Sequence, residues 1–169
     1  MYALAFWRFG FGLALLTNSL YLAVLILVFA IDWRHRLILN VVTYPTSAVC
    51  LLLSLVTPGI SLQSSLLGAA VYGGTFVLFY LLAVALYRRG DALGLGDVKL
   101  AVMLGLMLGL PRAIVAMFLG VLVGAMAAAG ALLAGRSGKD AMPYGTSLSA
   151  AGMFALVFGD LLVAWYLVP

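Results

Sequence analysis

The 169-residue chain contains no glutamate, a single cysteine and a single histidine. Charged residues make up only 8% of it, where a soluble domain carries about 25%. The lone Cys50 excludes an internal disulfide and any multi-cysteine zinc site, and reads as a small packed core residue. His35 stands between Arg34 and Arg36 and reads as a solvated loop residue. No metal or cofactor is expected from this inventory. The net charge of +4 does not mark a nucleic-acid binder, because the basic residues fall in short loops between apolar runs.

What is present is hydrocarbon. Hydrophobic residues make up 66% of the chain, and no charge interrupts residues 11–31. Runs of that length match the thickness of a bilayer. The expected fold is all-α: a polytopic membrane protein with about six transmembrane helices, forming one domain over residues 1–169. The spans are expected near residues 10–31, 37–56, 62–87, 97–110, 113–133 and 147–167. The first is read as a retained span, because it is longer than a signal-peptide core and has no basic segment before Arg8. Gly105/Gly109 and Gly120/Gly124 are small-residue pairs that let helices approach closely.

The loops after spans one, three and five hold Arg34, Arg36, Arg88, Arg89, Lys99, Arg136 and Lys139, against Arg8 and Arg112 on the other side. This bias places the first set in the cytoplasm and both termini outside. Tyr2, Phe6 and Trp7, with Trp165 and Tyr166, are expected at the outer interface.

Five aspartates supply all the acid. Asp32 closes the first span and Asp97 opens the fourth, so the topology puts both at one face. A carboxylate at the edge of a bilayer core is expensive and points to function. Two that converge suit acid/base chemistry on water. Gly94 and Gly96, before Asp97, are expected to open backbone angles closed to other residues and to let a substrate strand approach. Lys99 reads as either a nearby positive charge or an interfacial anchor. Asp91 and Asp140 read as loop charges. Asp160, inside the sixth span, is expected to reach a polar partner such as Thr17 or Asn18, or to face water.

Gly94-Leu95-Gly96-Asp97-Val98-Lys99 resembles the GxGD signature of the type IV prepilin peptidase family. Asp32, followed by Arg34, Arg36, Ile38 and Asn40, resembles that family's first motif, with Leu39 where proline is usual. Pro143-Tyr144-Gly145 is similar to its Pro-Phe-Gly segment, with Thr146 where a second proline is frequent. The resemblance implies catalytic aspartates at Asp32 and Asp97. It implies support from Gly94, Gly96, Lys99, Arg36, Asn40, Pro143 and Gly145. It further implies an aspartyl endopeptidase of the bacterial inner membrane that needs no cofactor. That enzyme removes the short leader of a prepilin-like membrane protein at the cytoplasmic face. The short loop after span one resembles the peptidase-only branch that serves Flp/Tad pili, without N-methylation.

The alternative is a small proton- or ion-coupled transporter that uses the same aspartates as relays. No line of acidic groups crosses the spans, which favours surface chemistry. Asp97 lies near the positive end of its own helix and Asp32 near the negative end of its own. Taken alone, those dipoles make Asp97 the ionised base and Asp32 the protonated acid.

Overall fold

The computed structural model describes residues 12–57, 59–87, 94–133 and 144–167. They form six α-helices: α1 (Leu13–His35), α2 (Asn40–Leu53), α3 (Leu62–Tyr87), α4 (Leu95–Leu108), α5 (Arg112–Leu133) and α6 (Tyr144–Leu167). Among the described residues there is no β-strand. Pro143, Asp91 and Asp140 lie outside the described residues, as do Arg8, Arg88, Arg89, Arg136 and Lys139 and the aromatics Tyr2, Phe6 and Trp7.

Four helices are long and apolar enough to cross a bilayer: α1, α3, α5 and α6. The chain is a polytopic membrane protein. The other two helices are shorter. With 14 residues at ~1.5 Å each, α4 reaches only about 21 Å, against a hydrocarbon core of about 30 Å. The reason it can be short is its place. It packs on α2, α3, α5 and α6, at the centre of the bundle. Leu100, Met103, Leu104, Met107 and Leu108 are all buried, so this helix is enclosed by protein around its whole circumference. The outer helices instead turn Leu16, Leu27, Phe118, Met126 and Trp165 outward. On a bilayer-length helix such a face meets lipid.

Lipid tails are as apolar as leucine, so helices here associate by close packing. The α3–α4 pair does so most extensively. A Cβ on Gly68 would stand 2.5 Å from the Gly105 carbonyl oxygen, so only glycine lets these two backbones meet. Gly109 ends α4 with φ at 65°, a left-handed angle suited to glycine. The next turn is tied back to α3: the Leu110 N–H donates to the Ser64 carbonyl at 3.1 Å, and the Ser64 hydroxyl donates to the Leu110 carbonyl at 2.6 Å. Gly120 and Gly124 receive Leu148 and the Tyr144 ring of α6, so the small-residue pairs serve packing as expected.

Several boundaries differ from the sequence reading. Helix α2 covers only Asn40–Leu53 of the expected 37–56, because the chain leaves α1 through a four-residue link and turns after Leu53. Helix α6 starts at Tyr144, three residues before the expected 147, which draws Gly145 and Thr146 into its first turn. Helix α1 runs on to His35, so Asp32 lies within its last turn. Leu39 stands at the N-cap of α2 with φ −79°, close to the angle a proline holds, and its carbonyl accepts the N–H groups of Val42 and Thr43. Cys50 is fully buried and packs on the Tyr21 hydroxyl, which joins α1 to α2.

Candidate active site

Consecutive helices run in opposite directions, so the end of α1 and the starts of α2, α4 and α6 share one end of the bundle. Asp32 is 3% exposed there. Arg36, in a left-handed conformation, closes α1 by donating its N–H to the Asp32 carbonyl at 2.8 Å. The Asp32 side chain turns away to α6. Its Oδ2 accepts the Thr146 backbone N–H at 2.5 Å and the Thr146 hydroxyl at 2.7 Å. The first N–H groups of a helix have no partner within it and form its positive end. Asp32 thus caps α6 from another helix.

Asp97 caps its own helix. Its Oδ2 accepts the Gly94 N–H at 3.1 Å, while its own N–H donates to the Gly94 carbonyl at 3.0 Å. Both carboxylates therefore sit at helix N-termini, and they are close enough for direct charge–charge interaction. Tyr144 in the first turn of α6 also lies within electrostatic reach of Asp97. Its ring is held against Phe76, with centroids 6.1 Å apart. Among the described residues neither Asp32 nor Asp97 has an ion-pair partner, and no three His, Cys, Asp or Glu side chains converge to hold a metal.

The glycines work differently from the expectation. Gly94 has φ −80° and ψ 149°, an extended conformation open to any residue, so backbone freedom is not its role. Close approach is the need at Gly96 and Gly145. A Cβ on Gly96 would come within 3.1 Å of the Ile38 Cβ. One on Gly145 would stand 3.0 Å from Ile38 Cδ1 and 3.0 Å from the Asp32 carboxyl carbon. Ile38, in the four-residue link between α1 and α2, is thus wedged between the two aspartate-bearing regions.

The remaining expected residues fall beside this centre. Lys99 Nζ donates to Asn40 Oδ1 at 2.9 Å and stands 5.3 Å above the Tyr44 ring, which joins α4 to the start of α2. Asp32, Asp97, Gly94, Gly96, Lys99, Arg36, Asn40 and Gly145 all belong to this one end. Ile38, Tyr144 and Thr146 complete it, and the sequence reading gave them no role. Thr146 had a signal available, because a Ser or Thr at a helix start is a ready hydrogen-bonding group. Ile38 and Tyr144 had a signal in the motifs that contain them, but nothing there told what they would touch.

Asp160 belongs elsewhere. It meets Arg112 Nε at 2.5 Å, at the opposite end of the bundle, and not Thr17 or Asn18. Thr17 instead meets the Thr57 hydroxyl at 3.1 Å, and the Asn18 amide donates to the Ala14 carbonyl at 2.7 Å. A cation on the first turn of α5 is the stronger partner for a carboxylate, and the antiparallel packing of α5 on α6 delivers it.

Two carboxylates within electrostatic reach of each other in a partly dehydrated setting can share one proton. One can then accept a proton from water while the other donates one.

The profile of the type IV leader peptidase family matches residues 19–129, about two thirds of the chain. The match includes Asp32 and Asp97 but stops before Tyr144, Gly145 and Thr146. The chain is 31% identical over 168 residues to a prepilin leader peptidase/N-methyltransferase of Bacillus subtilis, covering 99% of this chain and 65% of the relative. It is 32% identical over 163 residues to the protein of that name from Xanthomonas campestris pv. campestris, covering 95% of this chain and 56% of the relative. It thus spans about three fifths of the length of these two relatives. A shorter match, 29% over 83 residues, joins 48% of this chain to 32% of the Vibrio cholerae protein of that name. No solved structure matches. The six-helix bundle, the two apposed aspartates and the profile match agree, and the chain belongs to the type IV leader peptidase family.

Proposed function

We propose that this protein is an aspartyl endopeptidase that removes the short leader of prepilin-like membrane proteins. The observation that supports it best is the pairing of Asp32 and Asp97. Each is anchored at a helix N-terminus, the two lie within electrostatic reach of each other, and neither is neutralised by a cation among the described residues. Carboxylates held in this way keep their proton-transfer capacity.

The reaction follows from that arrangement. The ionised carboxylate takes a proton from a water molecule, and the water oxygen bonds to the carbonyl carbon of the scissile peptide. The protonated partner gives its proton to the carbonyl oxygen. The tetrahedral intermediate collapses as the C–N bond breaks and the departing nitrogen receives a proton. The products are a carboxylic acid and an amine, and the pair returns to one proton shared between two carboxylates. Like charges so close cannot both ionise cheaply, which keeps one proton on the pair.

In this reading the Lys and Arg bias of the loops after spans one, three and five favours a cytoplasmic Asp32/Asp97 end in a bacterial inner membrane, with both termini outside. There the site meets the cytoplasmic leader of a membrane-anchored substrate. Flp-type prepilins are the substrate class drawn from the resemblance of the short α1–α2 link. The transport alternative gains nothing from the geometry. Asp160 is held by Arg112 at the far end and does not extend a relay from Asp32.

The test is reconstitution of the purified protein in liposomes with a Flp-type prepilin. Cleavage at the leader junction, with no proton flux across the same liposomes, is expected. Proton flux without cleavage would favour the transporter. Cysteine labelling in a Cys50→Ala background tests the orientation. Reaction of position 90 or 138 with a periplasmic reagent would separate the site from cytoplasmic leaders.

A further inference from the structure

We propose that Thr146 sets the division of labour between the two aspartates: it holds Asp32 as the charged member of the pair, the general base, and orients it. The proposal rests on the peptidase reading above.

The argument starts from the number and kind of hydrogen bonds. Asp32 Oδ2 accepts two donors from one residue, the Thr146 backbone N–H and its hydroxyl. Asp97 accepts one, the Gly94 N–H, at the longer distance of 3.1 Å. An ionised carboxylate is acceptor-only, and donors aimed at it favour the charged form. The backbone donor also belongs to the positive end of α6, a favourable place for an anion. Dipole reasoning from each aspartate's own helix makes Asp97 the base. It omits α6, because nothing in the chain order brings residue 146 to residue 32. With α6 included, both carboxylates stand at positive helix ends, and the additional hydroxyl tips the balance to Asp32.

Orientation follows from the same contact. Both bonds fall on Oδ2, which leaves Oδ1 as the oxygen that can meet a water molecule. Gly145 allows this approach, since a Cβ there would press on the Asp32 carboxyl group and on Ile38. The other ionisable groups at this end do not compete for Oδ2. Lys99 on α4 is turned to Asn40 and the Tyr44 ring. Tyr144 on α6 is within electrostatic reach of Asp97. Arg34, His35 and Arg36, at the end of α1, are exposed. A proline at position 146 has neither donor, so this device belongs to chains with Thr or Ser there.

Thr146 is therefore a positioning residue, acting through Asp32. The experiment compares wild type with Thr146→Ser and Thr146→Val in liposome-reconstituted full-length protein, using leader cleavage of a Flp-type prepilin. Serine keeps both donors, and valine keeps the N–H and the side-chain volume but loses the hydroxyl. The expected result is a kcat about tenfold lower for valine with KM unchanged, the scale of one lost hydrogen bond to a charged group, and near wild-type kcat for serine. In parallel, infrared spectra assign the Asp32 carboxylate stretch by subtraction of Asp32→Asn. That band is expected in the wild type at neutral pH and displaced by valine but not by serine.

Three results overturn the proposal: valine with wild-type kcat, serine as impaired as valine, or an Asp32 band that valine leaves in place. The infrared arm reads the contact whether or not the substrate is cut. If the wild type cuts nothing, the peptidase reading falls and takes the role of general base with it. If the wild type cuts and valine changes neither rate nor band, Thr146 alone is excluded.

Discussion

At one end of the bundle Asp160 meets Arg112 at 2.5 Å, and at the other Asp32 and Asp97 lie within electrostatic reach of each other. All three carboxylates are set in an apolar protein, and the difference lies in what answers their charge. Arg112 answers Asp160 with a full opposite charge on an adjacent antiparallel helix. The result is a fixed ion pair that ties the first turn of α5 to the last part of α6. Asp32 and Asp97 receive only amide and hydroxyl dipoles, which hold a carboxylate in place and can favour its charged form without neutralising it with a counter-charge. A paired acid joins helices, and an unpaired couple at helix N-termini retains a proton to exchange.

Replacement of the acids should divide the two ends most sharply. Asp32→Asn and Asp97→Asn should each lower leader cleavage by roughly 10²–10⁴-fold, the range of general acid/base catalysis, with membrane insertion intact. Asparagine retains a carbonyl oxygen that can accept the Gly94 or Thr146 donors but cannot exchange the proton. Rate measurements in a strain without other prepilin peptidases check this. Normal cleavage by either variant would remove that aspartate from the mechanism.

Crowding at the site should have the next largest effect. In Gly145→Ala, the new methyl meets the Asp32 carboxyl group and Ile38 at 3.0 Å, so Asp32 must shift by a few tenths of an ångström. A loss of about tenfold in kcat is expected, because small displacements of a reacting group are costly. Gly96→Ala meets only the Ile38 side chain and should lose less. Equal losses in the two variants would point to general misfolding, which thermal unfolding in detergent would reveal.

Lys99→Gln tests the border of the site. It removes a charge that is hydrogen-bonded to Asn40 and stacked over Tyr44 but bonded to neither aspartate. A change of about two- to fivefold is expected, mainly in KM, consistent with one peripheral charge-assisted bond. A loss as large as that of Asp97→Asn would move Lys99 into the chemistry.

The smallest effect on activity belongs to the far end. Asp160→Asn should leave cleavage per folded molecule within about twofold and lower stability by about 1–2 kcal/mol. That value lies between exposed and buried pairs, because the Asp160 side chain is 41% exposed and that of Arg112 12%. Denaturation and cleavage measured on the same preparation separate the two quantities. A cleavage defect matching that of Asp32→Asn would dissolve the contrast between the ends.

Much of this was legible in the chain itself. Charge-free apolar runs determined an all-helical membrane protein, since a span must satisfy its own backbone hydrogen bonds. The parity of the helices put Asp32 and Asp97 at one end, and the residue pattern around them marked out the candidate site. Other features depend on which helices become neighbours. Enclosure of the short α4 at the bundle centre, the wedge of Ile38 between Gly96 and Gly145, and the capture of Asp160 by Arg112 could not be read from spacing. Nor could the bond from Thr146 to Asp32, which joins residues 114 positions apart. Periodicity and charge are local and survive in the sequence, so they determined the class and the end. Packing of helix against helix is non-local, so only the tertiary structure decided what each carboxylate touches.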